Sequence, residues 1–572
     1  MKTKQRNASI TTFEQLIEAN TGMPASDFLN PKPDPYIKDL SLAVAFTKEK
    51  IAQGMPVSII GDYDCDGDMG TGILEMTIEE YSGEKPYVRI PKRRAEGYGL
   101  NASIIDEIDE GLVITVDNGI SAVDAVKKAK EKGLDVIILD HHEKREDGII
   151  PPADVVVDPS AIPGSEFTHY CGAALAYRFA KELIPNSKKL DHMLVMASIA
   201  TVADVMELHG DNRLIVQQGL KLINKRKVMQ GLNILLNELN LNYIDEDTYG
   251  FGIGPVCNAS GRLYDDGPMD VVELFTADCD VFDDEETERL TELAKLLIKR
   301  NEKRREVVKA SMILTNNIIK EENLENDAVM VVYHPDFDEG IIGIIAGQLA
   351  EDYRRPAIAF TNSKTDGVLK GSGRNYGDVN LKAMLDYATE LFVGYGGHKG
   401  AAGMSIKAEN VEALKKKATQ YLKETGFSYE DDLDVTYYDL EISETKVPET
   451  IQLMKKYAPF GQGNARPVFK INNYSLSPKG RDFFKIMGKD KNHIRFFGRY
   501  TDAVGFDLVK PYEDAGKPKV MNVVGNLSQN FFNGRFTDQI EILEFEAANK
   551  KTQKTENENS VLNELETLLV FS

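Results

Sequence analysis

The stretch 57–71, VSIIGDYDCDGDMGT, leaves the backbone few choices. Val57 to Ile60 is a mostly apolar run that stops at Gly61. Carboxylates then fall at every second position (Asp62, Asp64, Asp66 and Asp68), with Gly67 and Gly70 interleaved, and an apolar-periodic segment starts near Thr71. The pattern predicts a buried strand, a tight acidic turn and a helix start. Carboxylates this close repel one another by about 1 kcal/mol or more per pair once partly desolvated, and a divalent cation is the usual remedy. For this stretch alone, the alternative is a solvated Asp-rich surface turn.

From residue 51 to about 160, strand-like runs at 57–60, 87–90, 112–116, 136–139 and 155–157 alternate with helical patterns such as 121–132. This predicts an α/β, doubly wound parallel sheet with its ligand site outside the carboxyl ends of the strands. Two more runs end in reactive groups: VITV at 113–116 runs into Asp117, and VIIL at 136–139 into Asp140, His141 and His142. A single Asp at a strand end is ordinary. Three strands delivering acids or imidazoles point to one shared rim. Residues 165–275 read as mostly helical. Asp204 follows the small-residue run SIATVA at 198–203, where a helix cap is the alternative role, and GPVCNASGR at 254–262 reads as a loop ending in Arg262.

At 572 residues the chain exceeds a single core. Residues 1–50 look helical and peripheral, broken at Pro31, Pro33 and Pro35. Residues 281–325 form a connecting helix, locally basic at Lys299, Arg300, Lys303, Arg304 and Arg305, either as a solvated spacer or facing DNA. A second, smaller α/β unit follows at 326–425. It contains two glycine-rich turns, 371–374 (GSGR) and 394–403 (GYGGHKGAAG), whose N–H groups can face an anion while Arg374 and His398 add charge-assisted hydrogen bonds to a phosphate. Period-two strands at about 463–547, with a turn at Asn533-Gly534 and interleaved basic and aromatic residues, suggest an OB-like β-barrel within a domain at 426–548, although core packing explains most such aromatics. Residues 549–572 read as a disordered tail with an apolar-acidic end, a docking peptide or a frayed helix.

The scattered cysteines (Cys65, Cys171, Cys257, Cys279) have no metal-site spacing and read as reduced thiols. No secretory pattern and no apolar run near 18 residues is present, so a cytoplasmic protein is expected. The net charge of −23 weighs against nonspecific nucleic-acid binding. A nuclease tolerates it, because its metals and a local basic groove face the phosphates.

Asp64, Asp66, Asp117, His141 and Asp204 form a mixed oxygen/nitrogen donor set that suits Mn²⁺ or Mg²⁺ better than zinc. Five donors fit two divalent cations sharing a carboxylate, an arrangement suited to phosphoester hydrolysis. Asp117, on the middle of the three rim loops, is the expected bridge.

The segments DYDCDG (62–67), TVDNGI (115–120), DHH (140–142) and Ala203-Asp204 resemble the successive motifs of the DHH phosphoesterase family. GSGR and GGHKGAAG resemble that family's associated substrate domain, DHHA1. Their order, the spacer and the C-terminal strands are similar to the family's single-strand-specific 5′→3′ exonucleases. The resemblance implies a DHH catalytic domain at 51–280, a DHHA1 domain at 326–425 and an OB-like domain at 426–548. It implies one metal on Asp64 and Asp117, with Asp62 as a further ligand, and a second on Asp66, Asp117, His141 and Asp204. His142 would contact the scissile phosphate, Asp140 would orient the imidazoles, and Asn258, Arg262, Ser372, Arg374 and His398 would grip phosphates. Asp68 lies outside the matched motif and is expected to be solvated. Cys65 stands where the family often has alanine and is expected to be a small filler. Single-stranded DNA is the implied substrate, a single-stranded-DNA-binding protein or a helicase the implied partner, and a monomer the implied state. The alternatives are a DHH-family phosphodiesterase of oligoribonucleotides or cyclic dinucleotides and a non-catalytic repair scaffold.

Overall fold

The structure is a computed structural model that describes residues 2–145, 147–278, 283–427, 435–532 and 534–548. The expected tail at 549–572 and the turn residue Asn533 lie outside the described residues. The chain forms two compact units. The larger holds Tyr36–Asp204 and the described residues from Gln218 to 427. The smaller holds the residues up to Pro35, Val205–Gln217 and the described residues from 435. Among the described residues no helix is long and apolar enough to cross a membrane.

The larger unit is built on an all-parallel five-stranded sheet. Its order is Tyr87–Arg89, Val57–Ile60, Leu112–Val116, Asp135–Leu139, Val155–Val157. Both Val57–Ile60 and Leu112–Val116 are buried at every position, as expected for strands covered on both faces. The acidic turn is the N-terminus of helix Cys65–Ser82. Asp64 is its N-cap, Gly83 in the left-handed region ends it, and its first fourteen residues are buried. Helices Gly172–Leu183 and Leu190–Ala203 pack beside it.

Residues 254–262 differ from expectation: they are helix Gly254–Leu263, not a loop. Pro255 sits in the first turn, where a missing N–H costs nothing. Gly261 marks a close approach, since a Cβ there would lie 1.8 Å from the Tyr63 carbonyl oxygen.

Helix Asp284–Glu322 runs 39 residues. It is capped by Asp283 and closed by Asn323 in the left-handed region. It leads into a second sheet ordered Phe392–Gly397, Ala401–Lys407, Val368–Arg374, Ala357–Asn362, Met330–Tyr333, parallel only in the last pair.

The smaller unit carries a seven-stranded sheet in the order Leu440–Ser443, Val468–Ser475, Val520–Phe532, Arg535–Ala547, Asp502–Gly505, His493–Phe496, Phe484–Met487. The two outer strands do not pair with each other among the described residues, so the expected barrel is an open sheet. The first residues of the chain are not peripheral. Strand Lys2–Gln5 pairs in parallel with Val435–Tyr438, and Phe13, Leu16, Ile17 and Phe28 share one core with Val447, Tyr457 and Phe469. Arg213 is fully buried in this unit, with its guanidinium 4.3 Å above the Phe28 ring and donating to the Tyr457 carbonyl at 2.8 Å.

Candidate metal centre

Asp117 follows Leu112–Val116, the central strand of the parallel sheet, and so projects from the middle of the rim. It has φ +61°, a conformation that Asp tolerates better than most residues. Its turn is fixed by Asn118, which donates to the Ile60 and Val116 carbonyls and accepts from Leu100 N–H. On one side of Asp117 the acidic turn presents Asp62, Asp64 and Asp66. On the other, the strand Asp135–Leu139 delivers Asp140, His141 and His142, and Asp204 closes helix Leu190–Ala203.

These residues converge. Donor atoms of Asp62, Asp64 and Asp117 lie within 4.8 Å of one another, as do those of Asp66, His141 and Asp204, and those of Asp117, His141 and His142. His141 Nε2 sits 3.0 Å from Asp117 Oδ1, 3.6 Å from Asp66 Oδ2 and 3.7 Å from Asp204 Oδ2. Asp64 accepts from Asp66 and Gly67 N–H through Oδ1. Asp62 Oδ1 and Asp204 Oδ2 are buried without a hydrogen-bond partner. Two buried, unsatisfied carboxylate oxygens beside an imidazole are costly unless a cation completes them, so the donor set fits divalent cations with a preference for oxygen.

The electrostatics agree. Burial and then the charge of Asp64 push Asp62 well above the usual carboxylate range. Burial, Asp66 and Asp64 do the same to both Asp117 and Asp204. His141 is pushed down by burial and by His142, which favours the neutral form that can ligate a metal. Burial would lower His142 too, but its Nδ1 donates to Asp140 Oδ1 at 2.8 Å, and that carboxylate raises it to about 9. Asp140 also accepts from the N–H groups of His141 and Ile120. Burial opposes its charge, yet the hydrogen bond and charge of His142 hold it below the usual range. The two adjacent histidines therefore differ: one neutral among acids, one cationic at the surface.

Several determinants were invisible in the sequence. The carboxylate of Asp66 accepts from Gly172 N–H at 2.6 Å and Ala173 N–H at 2.8 Å, the first turn of a helix 106 residues away. Gly172 is required there, because a Cβ would lie 2.6 Å from Asp117 Cβ and 3.0 Å from Asp117 N. Tyr98 donates to the Asp117 carbonyl and lies 3.3 Å from the His142 ring. No spacing rule links these segments to the acids.

Asp68 corrects an expectation. It is buried and not solvated, with neither oxygen hydrogen-bonded, and burial followed by Cys257 and Asp64 pushes its carboxyl well up. It joins none of the donor clusters, because it lies a full helical turn beyond the N-cap, below the rim. Cys65 is buried, as a filler would be.

Of the expected phosphate contacts, Asn258 uses its Oδ1 to accept from Cys65 N–H at 2.9 Å and so anchors the acidic turn. Ser372 accepts from Arg374 Nη1 at 3.1 Å. Arg262 is pushed down to about 10 by burial, then by Arg93, with Arg374 and Arg304 adding to it. Burial and Arg93 lower Arg374. Arg93, Arg262, Arg304 and Arg374 thus form a cluster of like charges, an arrangement that an anion relieves. His398 lies on the exposed turn between Phe392–Gly397 and Ala401–Lys407, where Ala401 is in register with Arg374, and its Nδ1 accepts from Gly400 N–H.

Three family models match in sequence: the DHH family, N-terminal domain at 56–206; the DHHA1 domain at 326–424; and the RecJ OB domain at 438–544. The chain belongs to the DHH family. Within that family it is 32% identical over 540 residues to the single-stranded-DNA-specific exonuclease RecJ of Bacillus subtilis (strain 168), an alignment covering 91% of this chain and 66% of that protein. It is 29% identical over 516 residues to the Haemophilus influenzae protein of the same name, covering 84% of this chain and 85% of that one. The chain spans about two thirds of the length of the Bacillus relative. Among solved structures it resembles RecJ of Thermus thermophilus in complex with Mn²⁺, with a TM-score of 0.74 at 24% identity over 93% of this chain and 76% of that one, which shows the DHH-family fold. It also resembles an exonuclease RecJ bound to manganese, with a TM-score of 0.56 at 27% identity over 68% of this chain and 95% of that one.

Proposed function

We propose that this DHH-family chain is a metal-dependent exonuclease that hydrolyses the phosphodiester bonds of single-stranded DNA from the 5′ end, in repair and recombination. The observation that carries this reading is the position of Asp117, whose carboxylate belongs to a donor cluster on each side of it. Asp64 and Asp117, with Asp62, hold one divalent cation, Mn²⁺ or Mg²⁺. Asp66, Asp117, His141 and Asp204 hold the other. When bound, such a pair supplies an activated water and neutralises charge on the phosphate and the leaving oxygen.

The chain's own residues do the rest. The Asp66 carboxylate is fixed by the two N–H groups of helix Gly172–Leu183 and cannot swing away. His142 is held cationic by Asp140 and donates to a non-bridging oxygen of the scissile phosphate. Arg262, Arg374 and Ser372 take the neighbouring phosphate, with His398 and Asn258 at its edges. The open seven-stranded sheet of the smaller unit, matched by the RecJ OB domain, binds the incoming strand. That sheet disfavours a phosphodiesterase of cyclic dinucleotides, which has no long strand to hold. The same reading makes the cytoplasm the compartment, a single-stranded-DNA-binding protein or a helicase the partner, and a monomer the working form.

The test is digestion of 5′- and 3′-labelled single strands, DNA and RNA, with Mn²⁺ or with EDTA. Mononucleotide release from the DNA 5′ end, dependent on Mn²⁺, is expected. Endonucleolytic fragments, or release unaffected by EDTA, would refute the proposal.

A further inference from the structure

The connecting helix carries a cavity that the proposed chemistry does not use. About 360 Å³ in volume, it lies between helix Asp284–Glu322 and helix Ile342–Tyr353, which contributes Gln348. That volume is at the small end of the range for ligand sites, about 300–1,000 Å³. Arg305, Lys309, Met312 and Asn316 line it at positions i, i+4, i+7 and i+11, one stripe of a helix, with Arg304 and Val308 on the adjacent row.

Its chemistry is divided along its length. Arg304, Arg305 and Lys309 cluster at one end. No carboxylate lines the cavity, and none of the three forms an ion pair with a carboxylate of the described residues. Arg304 donates to the neutral amide of Asn301. Met312 and Ile313 make the other end apolar, and Val308 lies between Arg305 and Lys309. Ile313 is 56% exposed although it is one of the large aliphatic residues. The amides of Asn316 and Gln348 supply donors and acceptors at that end. From Arg305 to Ile313 is eight residues, about 12 Å along the axis, roughly the length of one nucleotide. Arg304 also adds, after Arg93 and Arg374, to the like charge that lowers Arg262.

We infer that this cavity binds one 5′-nucleotide unit, with its phosphate on Arg304, Arg305 and Lys309 and its base against Met312 and Ile313. A base has a flat apolar face and a polar edge, which matches an aliphatic floor flanked by two amides. An inorganic anion would leave the apolar half unfilled, and an apolar peptide would leave three cations uncompensated. The nucleotide is either part of the strand being degraded or the free mononucleotide product.

The experiment separates these sources. Deoxyadenosine 5′-monophosphate is titrated by calorimetry into the full chain in EDTA, using the wild type, Lys309→Glu and Ile313→Asp. Both substituted residues are exposed and neither belongs to the proposed catalytic machinery; unchanged melting temperatures confirm folding. Each variant is expected to weaken binding at least tenfold, about 1.4 kcal/mol. With Mn²⁺, a higher KM for a labelled strand at unchanged kcat identifies a strand-borne nucleotide. Relief of inhibition by the monophosphate, at unchanged KM, identifies the free product. Binding that survives both substitutions overturns the inference, and so does binding lost with Lys309→Glu but kept with Ile313→Asp, which would mark a simple anion site. A wild type that degrades no strand would refute the proposed function while leaving the calorimetric result to decide this inference.

Discussion

Asp117→Asn should raise the stability of the metal-free protein while destroying its activity. Asn has the same shape, tolerates φ +61° and can still accept from His141 Nε2 at 3.0 Å. What it removes is charge. Asp117 lies within 4.8 Å of Asp62 and Asp64, and at an effective dielectric of about 20 each ionised pair at that distance costs about 3 kcal/mol. Burial and these neighbours already push Asp117 towards its neutral form, so protonation relieves part of the cost. The net gain from the substitution is about 1–3 kcal/mol in EDTA near pH 7.5, a rise in melting temperature of about 2–10 °C. With Mn²⁺ the order inverts. The wild type gains about 2.7 kcal/mol at a hundredfold excess of metal over Kd, and the variant, lacking the shared donor, gains little. Strand hydrolysis falls by about three orders of magnitude, about 4 kcal/mol of barrier. Thermal melts in EDTA and in Mn²⁺, with nucleotide release on the same samples, decide the matter. A variant that melts no higher than the wild type in EDTA, or that Mn²⁺ stabilises equally, would refute the reasoning.

Gly172→Ala places a methyl 2.6 Å from Asp117 Cβ and disturbs the N–H that holds Asp66. Activity should drop about 100-fold, with stability lowered by about 1–3 kcal/mol; activity within twofold of wild type would mean the helix start does not position the acids. Asp68→Leu replaces a buried carboxyl that has no hydrogen-bond partner with a side chain of the same heavy-atom count, and should add about 1–3 kcal/mol by denaturant titration without lowering activity. His192 is buried, donating from Nε2 to the Phe275 carbonyl and accepting from Met229 N–H at Nδ1. Burial lowers its pKa from 6.5 to about 4. The unfolded chain therefore binds this proton first as pH falls: the stabilisation is complete above pH 6.5 and is lost between 6.5 and 4. The loss from this residue between pH 7 and pH 5 is about 2 kcal/mol, and it should be absent in His192→Gln when both are unfolded in urea at the two pH values.

The parallel sheet and its reactive rim were legible because they are local. An apolar run followed by Asp or Asp-His-His at three strand ends needs only the rule that parallel strands present their carboxyl ends together. The glycine-rich segment 254–262 misled, because glycine can serve close packing as well as turning. Gly261 against the Tyr63 carbonyl is such a case, and the run forms a helix. Asp68 looked like its neighbours in the every-second-residue series. Once Asp64 caps a helix the period becomes 3.6, and the fourth acid is carried one turn down into the protein interior. Gly172, Ala173, Tyr98 and Asn118 were illegible for another reason. Their value lies in where the sheet carries them, not in any pattern around them. The OB-like domain expected at 426–548 is matched, but among the described residues its outer strands do not pair, since strand count and alternation do not determine whether they meet.

The pairing of strand Lys2–Gln5 with Val435–Tyr438 also governs the order in which the molecule is assembled. Lys2–Gln5 has its partner more than 400 residues later in the chain. At about 5–20 residues per second this is a wait of roughly 20–80 s, during which Phe13, Leu16 and Phe28 lack the part of their core that Val447, Tyr457 and Phe469 supply. The smaller unit is therefore the last to mature and the most dependent on chaperone protection of a nascent apolar segment. A bulky fusion placed ahead of Lys2 would be felt first in the two-stranded sheet that Lys2–Gln5 makes with Val435–Tyr438.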